Sequence, residues 1–252
     1  MNTIKITVKD SIAVLALDRG KSNAINLAMI EELHQMIHNI SEEEQIGALL
    51  ITGKENFFSS GLDLFEIYDY DASTMRHFWL KFIELIEAMF SFKKPMVAAI
   101  TGHSPAGGCV LALCADYRLM AQGKFVIGLN EVAVGIIVPD IIFDIYAFWI
   151  GSRQAHQFLL EGKLLETDAA LRVGMIDEQV DVNRIMTLAE KKIKTYLNFE
   201  INAWQQSKLN IRKELIRKLS NNHDAMLDIL LQQWWQPSNR EILKLVIDNL
   251  KK

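Results

Sequence analysis

The sequence has few cysteines, no excess of positive charge and no long apolar run, and each shortage removes a class of function. Its only two cysteines, Cys109 and Cys114, stand five apart in an apolar stretch. That spacing matches neither a CxxC redox pair nor paired zinc ligands, so both read as buried thiols. The 27 basic residues are outnumbered by 31 acidic ones, for a net charge of -4, so there is no basic surplus to hold a phosphate backbone and no nucleic-acid partner is expected. The six histidines form no ligand-spaced cluster, so no metal is expected. Even the richest stretch, Ile141 to Ile150, is short and interrupted by Asp144, far from the roughly 20 apolar residues that span a bilayer. The opening Met1 to Asp10 alternates polar with apolar residues and lacks a continuous signal core, which predicts a soluble, cytoplasmic protein without a membrane partner. There is no GxGxxG fingerprint, Walker lysine, nucleophile elbow, low-complexity linker or strict repeat.

Half of the chain is hydrophobic, enough for a substantial core over 252 residues. Ile4 to Val8 and Ile12 to Leu17 read as paired strands, and Leu27 to Ile40 as an amphipathic helix. Ile46 to Thr52 and Pro95 to Thr101 are uninterrupted apolar runs of the kind buried on both faces by covering helices. Between them, Met75, Phe78, Trp79, Phe82, Ile86, Met89 and Phe90 recur at helical spacing over Asp71 to Phe90 and read as core packing. A short helix follows over Gly107 to Ala115, then strand over Arg118 to Ala121, Phe125 to Gly128 and Met175 to Val180. This recurrence predicts an α/β fold. From Val182 onward the pattern is helical, with a boundary near residue 195. The expected division is a core of residues 1–195 carrying the site and a C-terminal helical region of 196–252. Trp204, Trp234 and Trp235 call for packing on the core or on another subunit.

Three segments carry chemistry. Phe57-Phe-Ser-Ser-Gly-Leu-Asp-Leu64 follows a buried strand, and Ser59, Ser60 and Gly61 permit a tight turn whose amides face a cleft. Gly102-His-Ser-Pro-Ala-Gly-Gly-Cys109 joins a strand to an apolar helix, where Gly107 and Gly108 let a ligand approach amides suited to a developing oxyanion. In Phe125 to Pro139 the single carboxylate, Glu131, sits among apolar residues. Such a carboxylate has a raised pKa and exchanges protons readily near neutrality.

In combination these segments resemble the enoyl-CoA hydratase/isomerase family, also called the crotonase superfamily. The likeness runs from the opening strands to Gly174-Met-Ile-Asp-Glu-Gln-Val180, with the tail alike only in type. It implies a spiral of ββα units, a C-terminal helical region that makes trimers or hexamers, and an acyl-CoA thioester substrate. Coenzyme A would then be part of the substrate, and no separate cofactor is expected. Carried over position by position, the oxyanion hole falls on the amides of Leu62 and Gly107, and the acid-base group on Glu131. Coenzyme A would run past Ser60, Gly61, Leu64 and Gly108, and along Lys21-Ser-Asn-Ala-Ile-Asn26 at Ala24. Lys21 is a candidate phosphate contact or simply a solvated lysine.

Hydratases of the family use two glutamates, the first directly after Gly-Gly-Cys, where this chain has Val110. One glutamate suffices to move a double bond. SSGLDL, SPAGGC, CADYRLMA and IGLNEVAVGI are similar to the mitochondrial-type Δ3,Δ2-enoyl-CoA isomerases, so a 3-enoyl-CoA to 2-enoyl-CoA isomerase is expected. The rivals are a hydratase or thioesterase-like enzyme of the same family and a non-catalytic acyl-CoA-binding protein. Asp140 reads as a helix N-cap or a second acid near the pocket, and His103 as a loop histidine held by local hydrogen bonds or an alternative base.

Overall fold

The computed structural model describes residues 2–251. The chain opens with β1 (Ile4–Lys9) and β2 (Ile12–Leu17), then α1 (Leu27–Glu42), β3 (Ala48–Thr52), β4 (Asn56–Phe57), α2 (Leu64–Ile67) and α3 (Ala72–Ser91). Next come β5 (Met96–Ile100), β6 (Gly102–Pro105), α4 (Gly107–Leu113), β7 (Tyr117–Ala121), β8 (Val126–Gly128), α5 (Asp140–Ile150), α6 (Ser152–Leu160), β9 (Leu164–Glu166), α7 (Thr167–Val173) and β10 (Glu178–Val180). The tail is α8 (Ile185–Leu197), α9 (Ile201–Leu219), α10 (Asp224–Trp234) and α11 (Pro237–Leu250). None of these described helices is long and apolar enough to cross a membrane.

There are two sheets, one ordered β1-β2-β3-β5-β7-β10 and the other β4-β6-β8-β9. The first strands of successive units, β3, β5 and β7, are parallel neighbours in one sheet, and the second strands, β4, β6 and β8, are parallel neighbours in the other. This is the expected spiral of ββα units. Every residue of β3 and β5 is buried, as a strand covered on both faces must be. Helix α1 starts at Asn26, whose side chain accepts the Met29 N–H at 3.1 Å, a cap that contributes about 1 kcal/mol. It buries Met29, Ile30, Leu33, Met36, Ile37 and Ile40, each stabilising by roughly 1.5–3 kcal/mol relative to exposure.

The tail is fastened to the core by buried charge. Lys208 and Arg212 of α9 reach the two oxygens of Asp116 at 2.8 and 2.9 Å, and Arg212 also donates to the Cys114 carbonyl at 3.0 Å. Burial pulls the Lys208 ammonium down to about 8, with Asp116 opposing. Removing one partner of such a pair typically costs ~3–5 kcal/mol. The strand expected over Met175 to Val180 is shorter, because Met175 and Ile176 turn back to the Ala170 carbonyl and the Asp177 carboxylate pairs with the buried Arg118.

Candidate active site

The register of the second sheet explains why distant residues meet. Phe57 of β4 pairs with His103 of β6, and Pro105 of β6 pairs with Gly128 of β8, all in parallel. The loops leaving the carboxyl ends of these three strands therefore emerge on one edge of the sheet, the usual place for a ligand in open parallel α/β sheets. They carry Leu62, Gly107 and Glu131.

The first turn is held from below by the 21–26 loop. Asn23 is buried with φ of 53°, a left-handed conformation that asparagine tolerates better than most residues. Its Nδ2 donates to the Phe58 carbonyl at 3.0 Å, and the Ser59 hydroxyl donates to the Asn23 carbonyl at 2.7 Å. Gly61 takes φ of +87°, and a Cβ there would stand 2.7 Å from the Ala106 Cβ. Asp63 then caps α2 by accepting the Phe65 N–H at 3.1 Å, and Arg19 donates to Asp63 at 2.6 Å. Leu62 is thereby fixed between two anchored residues.

The second turn contains Ala106 at φ 52°, ψ −129°, a strained setting for a residue with a side chain. Its own N–H is held by the Gly128 carbonyl at 2.7 Å. The backbone thus reverses directly before Gly107. Among the described residues, neither the Leu62 nor the Gly107 amide donates to a protein acceptor. A Cβ on Gly107 would lie 3.6 Å from the Leu62 nitrogen. The Gly107 and Leu62 backbones thus stand close together, with the Ile25 and Leu62 side-chain ends beside them.

Glu131 precedes a single 3₁₀ turn, Val132–Val134, and its carbonyl accepts the Ile136 N–H at 2.8 Å. Its Oε2 is fully buried with no hydrogen-bond partner. Burial pushes the carboxyl up from 4.5 to about 7, opposed only by its own backbone N–H.

Ser60, Leu62, Leu64, Ala24 and Glu131 line one cavity of about 590 Å³, together with Ser22, Phe57, His103 and Asn130. Gly107 lines a smaller adjoining cavity, about 20 Å³, which it shares with Leu62, Glu131 and Val110. Gly61 and Gly108 line neither cavity. A Cβ on Gly108 would stand 2.6 Å from the Ser59 carbonyl oxygen, so this glycine serves the packing of one turn on the other. Lys21 is exposed beside the cavity residue Ser22.

Asp140 is exposed, lines neither cavity and begins α5 after the N-cap Pro139, its carboxylate accepting the Ile141 N–H at 2.8 Å. Asp140 is therefore the first residue of the helix and not its expected N-cap, and it is not a second acid lining the pocket. His103 lies on β6, not on a loop, and its Nδ1 accepts the Val126 N–H at 3.3 Å. The ring is wedged between Phe57 and Phe125 at centroid distances of 5.3 and 5.2 Å. Sequence reasoning missed Asn23, for which the only signal was an asparagine inside a short loop. It also missed Val246 and Leu250 of α11, which close the large cavity from the far end of the chain.

A family model for enoyl-CoA hydratase/isomerase matches residues 7–241. A mitochondrial enoyl-CoA delta isomerase 1 of Mus musculus is 31% identical over 242 residues, 95% of this chain and 84% of the relative. A short-chain-enoyl-CoA hydratase of Clostridium acetobutylicum is 25% identical over 193 residues, 76% and 74% of the two chains. The crystal structure of human mitochondrial delta3-delta2-enoyl-CoA isomerase superposes with a TM-score of 0.95 at 27% identity, covering 99% of this chain and 98% of that one.

Proposed function

The chain is an acyl-CoA enzyme belonging to the enoyl-CoA hydratase/isomerase family, and we propose that within it this protein moves the double bond of a 3-enoyl-CoA to the 2-position. The observation that carries this reading is the Glu131 carboxylate, one of whose oxygens is buried without a hydrogen-bond partner. Glu131 shares the small cavity with Leu62, Gly107 and Val110, and Val110 holds the position at which the family's hydratases have their first glutamate. The thioester oxygen is placed between the Leu62 and Gly107 amides. Glu131 takes a proton from C2, and the C–H electrons pass into a dienolate whose oxygen charge those amides stabilise. Glu131 then returns the proton to C4, and the double bond comes to rest between C2 and C3. Coenzyme A lies along Ala24, Ser60 and Leu64 in this reading. The similarity to the mouse isomerase over nearly the whole chain favours it over the hydratase.

The test is to incubate the purified protein with a 3-enoyl-CoA and identify the product. Conjugated 2-enoyl-CoA is expected, and 3-hydroxyacyl-CoA or free CoA as the main product would replace the isomerase with a hydratase or a thioesterase. Because the base acts ionised and burial lifts its pKa to about 7, kcat/KM is expected to fall tenfold per pH unit below that value. An acid limb near 4.5, the ordinary carboxyl value, would show that burial does not raise the base's pKa.

The proposed assembly is a homotrimer or hexamer built through residues 196–252. Ile211, Ile229 and Leu245 of this tail are exposed by 60% or more, which supports a partner surface. Light scattering should report at least three chains per particle, and a stable monomer at micromolar concentration would end that proposal.

A further inference from the structure

Resting on the reading above, we propose that Arg19 is a positioning residue for the oxyanion amide of Leu62, acting through two peptide groups placed in series between them. Ile25 and Leu62 form an isolated parallel bridge. Within it the Ile25 N–H donates to the Gly61 carbonyl at 2.8 Å, and the Asp63 N–H donates to the Ile25 carbonyl at 2.8 Å. No peptide bond among the described residues is cis, and in a planar trans peptide the carbonyl and the N–H point in opposite directions. A Gly61 carbonyl aimed at Ile25 therefore turns the Leu62 N–H away from the 21–26 loop. The bridge sets the direction of that amide as well as the place of Leu62.

Arg19 holds the other end of the same series. Its Nη1 donates to the Ala24 carbonyl at 2.8 Å, and that carbonyl belongs to the peptide whose N–H is that of Ile25. The guanidinium thus donates to the peptide joining Ala24 to Ile25, that peptide donates to the one joining Gly61 to Leu62, and the last N–H meets the thioester oxygen. Hydrogen bonds linked in this way polarise one another, so a cation at one end strengthens the donor at the other. Arg19 is itself fixed on several sides. Nη1 also reaches Asp63 at 2.6 Å and Nη2 reaches Glu66 at 3.0 Å, while the backbone N–H of Arg19 donates to the Asn23 side chain at 2.9 Å. Glu66 further accepts from Asn26 Nδ2 at 2.8 Å and from the Tyr70 hydroxyl at 2.5 Å, which closes the network onto the N-cap of α1. Because Asp63 and Glu66 offset the positive charge, the larger share of the effect is geometric. A planar fork bonds Ala24, Asp63 and Glu66 together, which the point charge of a lysine does not reproduce.

The experiment examines Arg19→Gln in the full chain, with Arg19→Lys as the milder change if the glutamine variant does not fold. Either is expected to lower kcat for a 3-enoyl-CoA by ~10–10²-fold, short of the ~10²–10³-fold that follows loss of an oxyanion donor outright, with KM nearly unchanged. Calorimetry supplies the readout that general damage to the fold does not move. Acetoacetyl-CoA, bound as its enolate, puts negative charge on the oxygen that the Leu62 amide meets, and butanoyl-CoA does not. Affinity for acetoacetyl-CoA should therefore fall by ~10-fold or more relative to butanoyl-CoA in the variants. Equal losses for the two ligands, or an unchanged kcat in a folded variant, overturns the proposal, and so does failure of both variants to fold, which would make Arg19 a structural residue. If the wild-type protein isomerises no 3-enoyl-CoA, the isomerase reading fails. The ratio of the two affinities still decides the role of Arg19, because any reaction through a thioester enolate at this site draws on the same amide.

Discussion

Glu131→Gln is expected to lower isomerisation by the ~10²–10⁴-fold associated with loss of a general acid-base group, while acyl-CoA affinity changes little. The amide keeps the shape of the side chain and cannot take a proton from C2. A second consequence separates this from simple damage to the fold. The carboxyl is displaced from 4.5 to about 7 in the folded protein, which corresponds to roughly 3 kcal/mol of preference for the protonated form. A carboxyl raised on folding supports the native state below its unfolded pKa, and that support is lost as pH climbs through the native value. At pH 8 the wild type therefore carries an ionised, unpartnered carboxylate in apolar surroundings. The glutamine variant does not, and should melt several degrees higher there, with the difference shrinking toward pH 4. Stopped assays and thermal melts at the two pH values check both halves. Near-normal turnover by Glu131→Gln would sink the mechanism and turn attention to His103, the other titratable cavity residue apart from Asp63.

Gly107→Val is expected to reduce kcat by ~10²–10³-fold, the scale of losing an oxyanion donor. Gly107 is not in a left-handed conformation, so a side chain adds no backbone strain. Its Cβ would meet the Ile25 Cδ1 and Leu62 Cδ2 atoms at 3.1 Å, both ends of flexible side chains that can give way. It would also stand 3.6 Å from the Leu62 nitrogen, inside the space assigned to the thioester oxygen. Gly108→Ala is the contrasting variant. There the new carbon meets the Ser59 carbonyl oxygen at 2.6 Å, which cannot give way without moving the first turn, so loss of folding is expected alongside loss of activity. Circular dichroism and turnover measured together distinguish the two. Full activity in a folded Gly107→Val protein would remove that amide from the site.

Much of the architecture was written in local pattern. The unbroken apolar runs of β3 and β5 announced strands covered on both faces, and the 3.6-residue recurrence from Met75 to Phe90 announced α3, because burial on one face or two imposes its own period on the sequence. The turns of SSGLDL and SPAGGC and the carboxylate of Glu131 were legible for a related reason. Small residues mark places where the backbone must approach something, and a charge among apolar residues marks an exception that requires an explanation.

What the sequence determined by itself is the set of elements, the two glycine-bearing turns and Glu131 as the preferred base over His103 and Asp140, with Val110 where a second glutamate would stand. Whether those pieces converge was decided only by tertiary structure, through the parallel register that puts β4, β6 and β8 side by side and through Asn23, whose left-handed backbone ties two turns 36 residues apart. The same holds for Asp140, which adjacency in sequence put near the pocket and the direction of α5 put in solvent. It holds also for Val246 and Leu250, which reach the cavity because α11 packs back over α2 and the turn after Glu131. Local pattern encodes which face of an element is buried. What it is buried against depends on pairings between segments far apart in the chain, such as Asp116 with Lys208 and Arg212, and no single segment records them.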